Sequence, residues 1–98
     1  MDREIIRNKV VEILNYIYSK KEDFTFYGID EELSENVHDY RNYSDFLPNT
    51  MLALVSVGRF KIEKNYLFVC ENRNAVLNDE QLDVLLDLND ARKKRRGR

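Results

Sequence analysis

Pro48-Asn49-Thr50-Met51-Leu52-Ala53-Leu54-Val55-Ser56-Val57-Gly58-Arg59-Phe60-Lys61-Ile62-Glu63-Lys64-Asn65-Tyr66-Leu67-Phe68-Val69 holds the sharpest structural signals in the chain. Pro48 suits the first turn of a helix, where its missing N–H costs nothing. The apolar run that follows predicts a helix over 48–57. Gly58 then stands where a helix ends, because glycine tolerates positive φ. Two strand-like segments follow, 60–63 and 66–69, separated by Lys64-Asn65. A two-residue turn would pair Glu63 with Tyr66, Ile62 with Leu67, Lys61 with Phe68 and Phe60 with Val69. Phe60, Ile62, Leu67 and Val69 then share an apolar face, with Arg59, Lys61, Tyr66 and Phe68 on the other. Lys-Asn is a weaker turn than Asn-Gly, so a loop longer by a residue or two also fits.

Upstream, Ile5, Ile6, Val10, Ile13, Leu14 and Ile17 recur at helical spacing and predict an amphipathic helix over 3–19, capped by Asp2. Lys20 and Lys21 suit its negative end. Phe24-Thr25-Phe26-Tyr27 before Gly28 reads as a short strand. Asp30 is then the expected cap of a short acidic helix over 31–37, and 38–45 a polar loop. Downstream, Asn78-Asp79-Glu80-Gln81 has the form of a capping box and opens a helix over 79–91. The residues 92–98 are expected to be a disordered basic tail.

Helix, strand, helix, helix, strand, strand, helix is an α+β order. Over residues 3–72 it resembles the winged helix-turn-helix superfamily (helix-strand-helix-helix-strand-strand), here with an added C-terminal helix. The resemblance rests on the small strand before the second helix, Gly58 closing the third helix and the hairpin directly after it. It implies duplex DNA as partner, with the third helix in the major groove and the hairpin, or wing, on the backbone. By position Asn49, Thr50 and Ser56 would meet bases, and Arg59, Lys61 and Lys64 would meet phosphates. The helix over 48–57 contains no Lys or Arg, a departure from the usual reliance on phosphate neutralisation.

Charge sharpens the question. The 98 residues carry a net charge of −2, but Arg92, Lys93, Lys94, Arg95, Arg96 and Arg98 fall within the last seven positions, leaving the rest at −8. The basic tail will attract polyanions, while the acidic body repels them. DNA binding needs the wing and tail to outweigh the acidic residues of the body, and it gains if Arg59, Lys61 and Lys64 join Arg3, Arg7 and Lys9 in one basic face and weakens if they are scattered among carboxylates. The acidic run from Glu22 to Asp45 is most simply a solvated face, with docking of a basic partner as the alternative.

The leucines of the last helix fall into two groups. Leu82, Leu85 and Leu86 lie together, and Val84 and Leu88 are displaced around the helix. An apolar surface on two sides needs two neighbours. A homodimer through Leu82, Leu85, Leu86 and Leu88 is therefore expected. Tyr27, Tyr40 and Tyr43 read as partly buried loop anchors.

A hydrophobic content of 43% and five Phe with six Tyr provide for one core, and the length for one domain spanning 1–91. No apolar run reaches the roughly 18–20 residues of a membrane span. A charged start at Asp2-Arg3-Glu4 lacks the form of a secretory signal. The single Cys70 leaves no intrachain disulfide, and an intracellular setting is expected. His38 is the one histidine, and it has no cysteine or histidine neighbours in a metal-ligand spacing. Gly-rich phosphate loops and nucleophile-with-base motifs are missing. The expected function is thus binding rather than catalysis, with no metal and no cofactor. A dimeric DNA-binding transcriptional regulator is the first expectation. A protein-interaction module using the acidic surface or the apolar C-terminal helix is the second.

Overall fold

A computed structural model of the chain describes the backbone of residues 2–96 and the side chains of residues 2–89. Helix α1 (Arg3–Tyr18) opens on Asp2, whose carboxylate accepts from the Glu4 N–H at 3.0 Å. Val10, Ile13, Leu14 and Ile17 form its buried stripe. Ile5, expected on that stripe, is exposed, because it lies well around the helix from Val10 and Ile13.

Strand β1 (Phe24–Thr25) is only two residues long, and helix α2 (Phe26–Asn36) begins at once. The expected strand over 24–27 is therefore corrected at its second half, and the expected cap moves from Asp30 to Thr25. The Thr25 hydroxyl accepts from the Gly28 N–H at 3.0 Å, which satisfies an otherwise orphan donor of the first turn. A Cβ on Gly28 would meet that hydroxyl at 3.0 Å, so glycine fits the crowded cap. Asp30, inside α2, accepts from the Tyr40 hydroxyl at 2.6 Å and from Arg41 at 3.2 Å. These bonds pin the 38–45 segment, which coils into two short 3-10 turns (Tyr40–Asn42 and Ser44–Phe46). Tyr40 and Tyr43 are buried anchors there, whereas Tyr27 is exposed.

Helix α3 (Leu47–Ser56) ends in a Schellman turn. The Arg59 N–H donates to the Leu54 carbonyl and the Gly58 N–H to the Val55 carbonyl, with Gly58 at φ 86°. Strands β2 (Phe60–Glu63) and β3 (Leu67–Cys70) follow as a hairpin. The sheet is antiparallel in the order β1-β3-β2.

The hairpin register differs by one residue from a two-residue turn. Its loop is Lys64-Asn65-Tyr66, and Glu63 pairs with Leu67, Ile62 with Phe68, Lys61 with Val69 and Phe60 with Cys70. A slip of one residue swaps the faces of a strand. Phe68, not Leu67 or Val69, therefore joins Phe60 in the core. Phe24, Phe60 and Phe68 pack with ring centroids 5.4–6.2 Å apart, two of the three pairs edge-on.

Helix α4 (Asp79–Arg96) continues well past residue 91, through Arg96. Its capping box is formed in both directions, with the Gln81 N–H on Asn78 Oδ1 and the Asn78 N–H on Gln81 Oε1, each at 2.8 Å. Leu82, Leu85 and Leu86 are buried in the core formed by α1, α2 and α3. The fold is α+β, four helices with a small three-stranded sheet, and is compatible with a winged-helix-like layout. No helix among the described residues is long and apolar enough to cross a membrane.

Candidate binding groove

The face of α3 expected to read bases looks onto α4. Asn49, Leu52, Ala53 and Ser56 succeed one another at spacings of three, one and three along α3, so they share one side of that helix. Together with Leu77, Glu80, Val84 and Leu88 they line a groove of about 630 Å³ between the two helices. Leu52, Val84 and Leu88 are 59%, 57% and 53% exposed, three large apolar side chains open to solvent around a single depression. Among the described residues no Lys or Arg lines it, and Glu80 is the one charged residue there. The Asn49 side-chain Nδ2 is buried at this edge without an acceptor among the described residues.

The residues expected to contact DNA are distributed differently. Thr50 is fully buried, and its hydroxyl donates to the Phe46 carbonyl at 2.7 Å, so it has no base edge to meet. Asn49 and Ser56 line the apolar groove. Arg59 is 3% exposed. Its guanidinium donates to the carbonyls of Arg73 (2.8 Å), Ala75 (3.1 Å) and Tyr18 (3.2 Å). It also stacks on the Tyr18 ring at 4.6 Å and near Phe60 at 5.6 Å. Arg59 is thus corrected from a phosphate contact to an internal clamp. It ties the segment after β3 to the end of α1, and its fork of donors is the group suited to gathering several carbonyls.

Lys61 and Lys64 are exposed on the wing, Lys61 with Glu63 at 3.7 Å. The α1 cations do not join them as free charge. Arg7 bonds Asp79 at 3.0 Å and Asp83 at 2.7 Å, Arg3 meets Asp87 at 2.9 Å, and Lys9 holds Glu12 at 3.0 Å and the His38 carbonyl at 2.8 Å. The α1 cations are therefore paired within the chain, Arg3 and Arg7 with carboxylates of α4. The side chains of Arg92, Lys93, Lys94, Arg95 and Arg96, and all of Arg98, lie outside the described residues.

The acidic run is also partly committed to the fold. Glu32 accepts from Lys20 at 2.7 Å and from the Tyr16 hydroxyl at 2.8 Å. These two donors hold its carboxyl below the usual carboxylate range, Lys20 contributing more than Tyr16. Lys20 is raised mainly by the same hydrogen bond, and Tyr16 is raised by burial and then by Glu32. Burial, followed by the bond to Asp30, raises Tyr40 strongly. Glu31 and Glu35 are exposed.

The expected dimer surface is corrected too. Leu82, Leu85 and Leu86 are at most 5% exposed within one chain and have no surface to offer a second. Leu88 remains, joined by Val84 and Leu52. Leu52 is the residue that attention to polar side chains on α3 passes over. Its position between Asn49 and Ser56 on one helical face was the available signal.

Among the described residues no cluster of three or more His, Cys, Asp or Glu is placed to hold a metal. Comparison of the chain with protein-family models, curated proteins and solved structures gave no match.

Proposed function

We propose that this chain is a protein-binding module on a winged-helix scaffold, and that the groove between α3 and α4 receives an amphipathic helix. The observation that carries the reading is the character of the outward face of α3. A DNA-reading helix presents polar and cationic groups to the major groove. This one presents Leu52 between Asn49 and Ser56 and is walled by the apolar side of α4. Helix-in-groove recognition uses anchors at spacings of three, four and seven, which seat in an open apolar channel. Exposed apolar side chains gathered around one depression are the usual mark of such a surface.

The test is fluorescence anisotropy with two probes on the full chain. One is a labelled 18-residue amphipathic helix of Leu and Lys, and the other a labelled 20-base-pair duplex. The helix binds, and Leu52→Asp weakens it by about tenfold, the equivalent of about 1.4 kcal/mol. Failure of the helix to bind, or equal binding by the Leu52→Asp variant, overturns the proposal.

A second reading keeps duplex DNA as partner through Lys61, Lys64 and the basic segment 92–98, and rests on the density of charge there. In it, duplex affinity falls steeply with salt and is lost when the chain stops at Ala91.

A further inference from the structure

We propose that the open edge of β2 pairs with β2 of a second copy of this chain, antiparallel and centred on Ile62, to give one continuous six-stranded sheet. The proposal concerns the hairpin and stands apart from the groove between α3 and α4.

Strand β2 has β3 on one side and no strand among the described residues on the other. Lys61, Ile62 and Glu63 are all exposed. The phase of the ladder follows from one bond, from the Glu71 N–H to the Arg59 carbonyl at 2.7 Å. With Lys61 opposite Val69 and Glu63 opposite Leu67, alternate residues Arg59, Lys61 and Glu63 turn their backbone N–H and C=O toward β3. Phe60 and Ile62 therefore turn theirs outward. Such a row is a template for a further strand. The four residues of β2 contain no proline, and their pairing with β3 is unbroken. Lys61 is the kind of residue that keeps foreign strands off an edge, but here Glu63 offsets it.

Charge names the occupant. Lys61 and Glu63 share one face of β2, 3.7 Å apart, with Ile62 between them in sequence. With Ile62 opposite the partner's Ile62, Lys61 falls opposite the partner's Glu63, and Glu63 falls opposite the partner's Lys61. Ile62 then exchanges both backbone hydrogen bonds with its counterpart. The Lys–Glu pairs occupy the non-hydrogen-bonded positions, where facing side chains come closest.

Moving the two-fold axis one residue either way keeps the hydrogen bonds but sets Lys61 on the partner's Lys61, or Glu63 on the partner's Glu63. In-register parallel pairing does both. Like charges directly opposite each other are destabilising. Among these registers only the one centred on Ile62 is complementary, and it is the same patch on both copies, as an isologous contact requires.

Sedimentation velocity of the full chain at rising concentration tests this. The contact is below about 1,200 Å², so the wild type forms a weak dimer with a dissociation constant up to about 1 mM. Glu63→Lys and Lys61→Glu, both at exposed positions, each raise that constant at least about tenfold. An equimolar mixture of the two variants dimerises within about threefold of wild type, because two lysines then face two glutamates. Lys61→Glu with Glu63→Lys in one chain also recovers the wild-type constant, which separates loss of pairing from loss of fold. The Ile62 amide gains protection from hydrogen exchange as the concentration rises.

A wild-type chain that stays monomeric at about 1 mM overturns the proposal. So does a dimer indifferent to both single variants, or one in which Ile62 exchanges equally fast at all concentrations. Single variants that dissociate and stay apart when mixed overturn it through the register. Each of these failures leaves the groove reading intact, since no residue of β2 lines the groove.

Discussion

Arg59 sits two residues past the end of α3, where a winged-helix reading expects a phosphate contact. Its burial reverses that role. Three carbonyls from two distant segments converge on one guanidinium, and a charged group in that setting is costly to remove, since each carbonyl loses its donor. Arg59→Ala is expected to lower the unfolding free energy by about 3 kcal/mol, measured by urea denaturation. A neutral effect on stability would return Arg59 to the surface. The sequence did not disclose this, because the accepting carbonyls belong to backbone at Tyr18, Arg73 and Ala75 and leave no trace in side-chain type.

Glu32 offers a second test at the same scale. Its folded carboxyl is held below the ordinary value of 4.5, so its contribution to stability is complete above that pH and is lost as pH falls through the lower folded value. Glu32→Gln should therefore cost about 1 kcal/mol near neutral pH, and the difference from wild type should shrink below about pH 4.5. A gap in melting temperature that stays constant between pH 7 and pH 3 would contradict the role given to Lys20 and Tyr16.

At the scale of elements, periodicity was a good guide wherever one face was buried over several turns. α1, α3 and the start of α4 lie within a residue or two of their expected positions, and the Asn78–Gln81 box closes as the spacing implies. The errors fall where two local signals compete. Phe26 and Tyr27 favour a strand by type, yet the Thr25 hydroxyl caps Gly28 and starts α2 there.

The hairpin is the clearer case. Its three-residue loop requires left-handed backbone at Asn65 (φ 62°) and Tyr66 (φ 56°), with no glycine to mark it. Tyrosine in that region costs about 1–2 kcal/mol, and asparagine tolerates it better. Tyr66 is 72% exposed, so its ring gives little back through burial. Tyr66→Asn is accordingly expected to stabilise the fold by about 0.5 kcal/mol in thermal melts. A drop in stability would mean that the tyrosine ring supports the wing through packing.

Across the whole molecule, the α+β order and the uneven charge were legible from sequence, and so was the presence of two apolar groups on the last helix. Which group faced inward was not, because it depends on where α1 and α3 lie. Packing against the core selects Leu82, Leu85 and Leu86 and leaves Val84 and Leu88 beside Leu52. The same docking brings Asp79, Asp83 and Asp87 onto Arg3 and Arg7, which pairs those cations within the chain. The groove and the pairing of Arg3 and Arg7 thus have one cause, the way α4 lies against the rest of the chain.

Methyl and amide NMR shift mapping on the full chain, titrated in parallel with the Leu/Lys helix and with duplex DNA, tests this account most directly. The helix should move the methyl signals of Leu52, Val84 and Leu88, and DNA should leave Asn49, Ser56 and Lys61 unmoved. Duplex-induced shifts centred on Asn49, Ser56 and Lys61, with the three groove methyls silent toward the helix, would contradict it.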